Sequence, residues 1–139
     1  MAIEQAVTKQ YKKDISNGVH QPTDVYKVAL FNNISNLDKN TTAYSTFGEV
    51  PDGLGYTAGG IVLTGRTIVE DGDAEILDFD DPFWPTATFS ADGGLIYNST
   101  RAGAAIMTFA FGVNKTGAGG NFTLILPDPT ATLGLLRLL

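Results

Sequence analysis

Cysteine is absent from the 139 residues, which excludes disulfides, thiolate nucleophiles and cysteine-ligated zinc. Charge is scarce as well: Asp, Glu, Lys and Arg make up 17% of the chain, and the balance is acidic, at −6. The nine Lys and Arg residues are scattered, with Lys9, Lys12 and Lys13 the one local group. No basic surface for a phosphate backbone is built, so no nucleic-acid partner is expected. No stretch approaches the roughly 20 apolar residues of a membrane span. The opening residues, MAIEQAVTKQYKKD, hold no apolar run long enough for a signal peptide. No membrane partner is expected, and synthesis in a cytoplasm is.

What is present suits a folded domain. Apolar residues are 43% of the chain and aromatics 10%, enough to bury a core. The length fits one unit, expected to span 1–139 with a helix and arm at 1–17 and a β-sandwich at 24–139. Near the start, Ile3, Val7, Tyr11 and Ile15 recur every fourth residue, the spacing of one helical stripe. Asn17-Gly18 follows as a helix stop. So short a helix must dock on its own sheet or on a neighbouring subunit.

From Asp24 onward the runs are short, rich in β-branched and aromatic residues, and punctuated by Gly, Pro, Asn and Asp. Strands are predicted at Val25–Phe31, Gly60–Ile68, Ala74–Phe79, Thr86–Ser90, Leu95–Asn98, Ala104–Phe111, Asn121–Leu126 and Thr130–Leu138. Tyr26, Val28 and Leu30 alternate with Lys27, and Met107, Phe109 and Phe111 with Thr108, which gives each strand one buried face. Glycines at 93–94 and 117–120 are read as places for turns or bulges. The fold class expected is all-β: a jelly-roll-like antiparallel β-sandwich of about eight strands with a short N-terminal α-helix. Residues 32–59 form the longest stretch without a convincing strand, with 44–50 as a candidate edge strand, and so long a loop in a small domain carries function or hides an element.

Chemistry-bearing residues are few. Asp71 and Asp73 have the spacing of two calcium ligands but lack the rest of an EF-hand loop, so no metal site is expected. Asp78 and Asp80 would share a strand face, the placement of a paired-carboxylate glycosidase site, but no sequence feature supplies a cleft. Asp78 is expected to face outward opposite Leu77 and Phe79. The lone histidine, His20, reads as an exposed loop residue, and no Gly-x-Ser-x-Gly elbow accompanies it. Gly117–Gly120 has Lys115-Thr116 before it and no helix after it, which suits a hairpin turn and not a phosphate cradle. Neither catalytic residues nor cofactors are expected. Trp84, with Phe79 and Phe89, is expected to anchor the core. The C-terminal run, with Leu135, Leu136, Leu138 and Leu139, is apolar on both faces of any strand it forms, which asks for cover by a partner.

Several segments together resemble a family of small virion proteins of tailed bacteriophages, and within it the capsid cement, or decoration, proteins of short-tailed phages. The segments are Asp24–Phe31, Thr42–Thr46 leading through Glu49-Val50 to Gly55–Gly60, Phe79–Trp84, Ala91–Asn98, Phe111-Gly112 and Gly120–Thr123. They cover almost everything after the first helix. The resemblance implies a jelly roll on the outer surface of the capsid. There it would clamp neighbouring major capsid protein subunits against the pressure of packaged DNA, as a homodimer or other homo-oligomer. The contact regions expected are the N-terminal helix (Ile3, Val7, Tyr11), the 32–59 loop (Tyr44, Tyr56) and the C-terminal leucines. The competing expectation is a tail or fibre β-sandwich that binds another tail protein or a carbohydrate, with Tyr44 and Tyr56 as exposed rings for stacking on sugars.

Overall fold

The computed structural model describes residues 3–124 and 136–138. The chain is mostly β, with antiparallel sheets and, among the described residues, one α-helix. Ten strands follow in order: β1 Ala6–Val7, β2 Tyr26–Phe31, β3 Ile61–Val62, β4 Thr67–Asp71, β5 Ala74–Asp78, β6 Phe83–Trp84, β7 Ser90–Asn98, β8 Ala104–Thr116, β9 Phe122–Thr123 and β10 Leu136–Leu138. They form a five-stranded sheet in the order β1-β8-β7-β2-β3, a three-stranded sheet β10-β5-β4 and a two-stranded ribbon β6-β9.

The helix, α1, is shorter than the four-residue spacing predicts and spans Lys9–Ser16. Thr8 stops it from starting earlier: its hydroxyl caps the helix by accepting from the Tyr11 N–H at 3.1 Å. The same hydroxyl faces the carbonyls of Ala105 and Ile106 on β8, at 3.0 and 3.1 Å. Ile3 therefore lies in an extended arm and Val7 in β1, which pairs with Thr108 and Met107 of β8. Ile3 and Tyr11 are buried and Val7 half-buried within this molecule, while Ile15 is exposed. The stripe is spent on the protein's own sheet and offers no free docking face.

The central strands are buried on both faces, where alternation predicts one. In β2, Tyr26, Val28 and Leu30 face a core shared with Leu77 of β5, Trp84 of β6, Ile96 of β7, Ile106 and Phe109 of β8 and Phe122 of β9. Ala29 and Phe31 point the other way, into a second cluster with Ile3, Leu37, Leu95 and Tyr97. Thr108 is fully buried too, and its hydroxyl donates to the Glu4 carbonyl of the arm at 2.7 Å. Trp84 anchors the first cluster through Phe89, Phe122 and Tyr56, with ring centroids 6.0 to 6.3 Å away.

Gly93-Gly94, where a turn or a bulge is expected, lies inside β7 beside a register shift between Ala91 and Gly93, so the strand predicted to begin at Leu95 starts at Ser90. A Cβ on Gly93 would collide with the Phe109 carbonyl oxygen, and one on Gly94 would sit 2.8 Å from the Ala29 carbonyl oxygen; both neighbours are backbone and cannot turn aside. Gly117–Gly120 is no hairpin turn, because β8 and β9 do not pair. Its backbone bonds instead to Ala87 and Phe89, in the segment predicted as a strand at 86–90. The predicted strand at 60–68 divides into β3 and β4, and Asp80 lies beyond the end of β5, so it shares no strand face with Asp78. Asp78 is half-buried, and both Ile76 and Leu77 are buried beside it.

Gly93→Ala is expected to cost about 3 kcal/mol by overpacking against backbone, read as a lower urea midpoint. Gly120→Ala, where a Cβ meets nothing within 4 Å, is expected to stay within about 0.5 kcal/mol. Equal midpoints for the two variants would disprove the close-approach account.

Candidate interaction surface

The 32–59 loop is not slack. It holds a short 3-10 turn at Asn33–Ser35, and its predicted edge strand at 44–50 reduces to single bridges, Ala43 with Ala104 and Glu49 with Phe31. Val50 N–H donates to the Leu30 carbonyl at 3.0 Å, which fixes the loop along β2. Glu49 then acts as a clamp. One carboxylate oxygen accepts from the Tyr44 hydroxyl at 2.6 Å; the other accepts from the Tyr56 hydroxyl at 2.6 Å and the Gly59 N–H at 2.7 Å. The Tyr56 oxygen accepts in turn from the Leu30 N–H at 3.0 Å. Tyr97 stacks on Tyr44 at 4.6 Å and donates to the Gly59 carbonyl.

Burial, with Glu49 close by, raises the pKa of all three phenols, that of Tyr97 to about 12. They stay protonated at neutral pH and serve as hydrogen-bond donors, not as bases. This corrects the expectation for Tyr44 and Tyr56. Tyr56 is 2% exposed and offers no ring face, and Tyr44 is half-buried, with Tyr97 stacked on one face and Phe31 at its edge.

His20 is also not where its sequence context suggests. Its side chain is 6% exposed, wedged between α1 and the end of β7. Asn98 sets its tautomer. The Asn98 carbonyl oxygen accepts from Thr100 N–H at 3.0 Å, so its amide nitrogen faces His20 Nδ1 at 2.9 Å and Asp24 at 2.8 Å. Nδ1 must then be the acceptor and Nε2 carry the proton, facing Asp14 at 3.4 Å. The rings of Tyr11 and Tyr26 flank it at 5.1 and 6.3 Å. Asp24 is held well below the usual carboxylate range, first by its hydrogen bonds with Arg101 at 2.8 and 3.0 Å. Nδ1 of His20 meets Asn98 and Nε2 lies 3.4 Å from Asp14, and among the described residues neither nitrogen meets a serine hydroxyl. The cluster ties α1 to the 20–26 segment and to β7.

The side chains left to meet another molecule are different ones. Ile34 is 62% exposed, Phe47 62%, Leu54 69% and Val113 61%. The first three lie in the 32–59 loop singled out from sequence, on residues passed over there. Their signal was legible in Asn33-Ile34-Ser35, Thr46-Phe47-Gly48 and Gly53-Leu54-Gly55, where an apolar residue between turn formers has no strand face to hide on. Of the C-terminal leucines, Leu136 and Leu138 belong to β10, paired with β5; Leu135 and Leu139 lie outside the described residues. Beside α1, Lys9 and Lys13 flank a shallow concavity of about 400 Å³ with Gln10, Asn40 and Thr42. Among the described residues, no three His, Asp or Glu side chains are placed to hold a metal ion, and no helix is long and apolar enough to cross a membrane.

Two measurements check these clusters. Glu49→Gln puts an amide N–H₂ among hydroxyl and N–H donors and is expected to cost about 1 to 3 kcal/mol, with Tyr44 and Tyr56 gaining solvent-exposed fluorescence; an unchanged denaturation midpoint would refute the clamp. Burial is the first cause holding His20 below its ordinary value of 6.5. The folded protein therefore binds fewer protons than the unfolded chain near that pH. The stability contributed is complete above about 6.5 and is lost as pH falls from there. Midpoints are expected to drop between about pH 7.5 and about pH 5.5, with the drop flattened in His20→Gln; an equal drop in that variant would assign the dependence to other groups.

Compared with protein-family models, with curated proteins and with solved structures, the chain matches none.

Proposed function

We propose that this chain is a structural virion protein that works by binding other proteins, sitting on the outside of a phage capsid as a cement protein and clamping neighbouring major capsid subunits. The observation that carries this reading is the pairing of rigidity with exposed apolar surface in one loop. Glu49 and the three tyrosines fix the loop's backbone, and the same loop holds Ile34, Phe47 and Leu54 out in solvent. A loop ordered before it binds loses little further entropy on association, and apolar area buried there contributes roughly 25 cal/mol per Å². The polar groups with perturbed proton affinity are used up in tying loop and helix to the sheet, an economy that suits a scaffold.

The reading includes the finer fold, a jelly-roll-like sandwich of about eight strands. Its support is that one core draws residues from the five-stranded sheet and from β5, β6 and β9 together. It also includes a homodimer or other homo-oligomer. Strand β4 lies at a sheet edge and is largely exposed, with Ile68 54% accessible, and such an edge is a template for pairing with a second copy. The acidic charge of −6 fits a place outside the head, away from DNA. The carbohydrate reading loses its support, since Tyr44 and Tyr56 are packed inward.

Sedimentation of the purified protein with undecorated phage heads, followed by imaging, tests the proposal. Stoichiometric, symmetric attachment is expected, weakened by Phe47→Ser and Leu54→Ser without loss of thermal stability. A protein that leaves heads bare overturns the capsid reading.

A further inference from the structure

We propose that a bulge in β8 builds a docking site for a partner segment that offers a lysine or arginine beside an apolar side chain. This deepens the reading above and rests on it only for who the partner is. The β7–β8 ladder breaks between Gly93, opposite Ala110, and Ala91, opposite Lys115, so Asp92 alone faces Phe111, Gly112, Val113 and Asn114. Such bulges bend a strand and re-aim its side chains. Gly112, at φ 80°, lets the chain double outward. Phe111 turns in against Phe109 and Phe122, at 5.8 and 6.2 Å, while Val113 is pushed out to 61% exposure.

The break opens a pocket of about 100 Å³ with Ile3, Ala110 and Val113 as apolar walls and Asp92 as the one charged side chain lining it. Asp92 is fixed in place. One carboxylate oxygen accepts from Asn33 N–H and the other from Asn114 Nδ2, both at 2.9 Å, and each oxygen keeps a second lone pair for a donor. Asn33 opens the turn that carries exposed Ile34. Asn32 N–H donates to the Gly48 carbonyl at 2.8 Å, which brings the backbone next to exposed Phe47 to the same edge. An anchored carboxylate thus lies beside Val113, and the segments that carry exposed Ile34 and Phe47 are tied to the same edge.

Charge complementarity selects the occupant. A chain of net charge −6 presenting a carboxylate gains little from a second acidic copy. A cationic head meets its counter-charge there, and its aliphatic stem lies along Val113 and Ile34. The pocket's volume of about 100 Å³ suits an ammonium or guanidinium group.

The test titrates the isotope-labelled full chain with two blocked peptides, acetyl-Leu-Arg-Leu-Val-amide and acetyl-Leu-Glu-Leu-Val-amide. Expected are saturable shifts at the amides of Asn33, Gly112, Val113 and Asn114 with the arginine peptide. The glutamate peptide is expected to bind about tenfold more weakly, and Asp92→Asn to weaken the arginine peptide by a similar factor. Val113→Ser, which removes only exposed surface, should also weaken it, and Val62→Ser on the β3 edge should not. Equal binding of the two peptides, shifts elsewhere on the surface, or no shifts at millimolar peptide each overturn the site. Heads left bare by a wild-type chain that still binds the arginine peptide would remove the capsid reading and leave the site standing.

Discussion

The constraint on which the rest of the structure depends is that the middle of the five-stranded sheet is buried from both sides. Val28, Ala29, Leu30 and Phe31 are exposed by 0, 0, 0 and 1% in succession. Successive side chains of a strand point opposite ways, so this is possible only if both faces are covered. The other strands cover one face. Among the described residues the second face is closed by Ile3 of the arm and Leu37 and Tyr44 of the long loop. The arm and the loop are therefore parts of the core wall, and their polar backbone groups have to be satisfied there. Arm and loop bind to each other directly, through Glu4 N–H to the Leu37 carbonyl at 2.8 Å.

That constraint explains what the sequence could and could not convey. The β character, the helix and the anchoring role of Trp84 were legible because composition and turn residues speak to them locally. The arm was misread because the spacing of four is a helical signal, whereas Ile3 and Val7 pack into different clusters, on the two faces of the sheet. Only Thr8, a good N-cap residue, marks where the arm ends and the helix begins. The start of β7 at Ser90 was missed because a turn, a bulge and a close approach of two backbones all ask for glycine, and Gly93-Gly94 serves the last two. The inward course of Tyr44 and Tyr56 depends on Glu49, Leu30 and Gly59 meeting in space, which no local pattern records. Neither does the pairing of His20 with Asn98, 78 positions away.

Both polar clusters sit where a segment outside the sheet is tied down to it. Around Glu49 the carboxylate takes donors from both halves of the loop. Around His20 the imidazole bridges α1 and β7 while Asp24 holds Arg101. Burying such groups is costly unless they find partners: Glu49 takes three donors, and Asp24 is bonded by Arg101 and Asn98. The shifts in proton affinity follow from this burial and pairing.

What remains for function is whatever the architecture does not consume. Exposed apolar side chains on an otherwise well-anchored loop, here Ile34, Phe47 and Leu54, cost solvation and lie outside the buried core. The entropy of holding them in place has been lost already at folding. A partner that covers them gains the hydrophobic contribution nearly in full, because little ordering remains to be done. Recognition then falls to the rare charges among them, and on an acidic chain with few cations a single anchored carboxylate such as Asp92 discriminates between partners more sharply than the apolar area around it does.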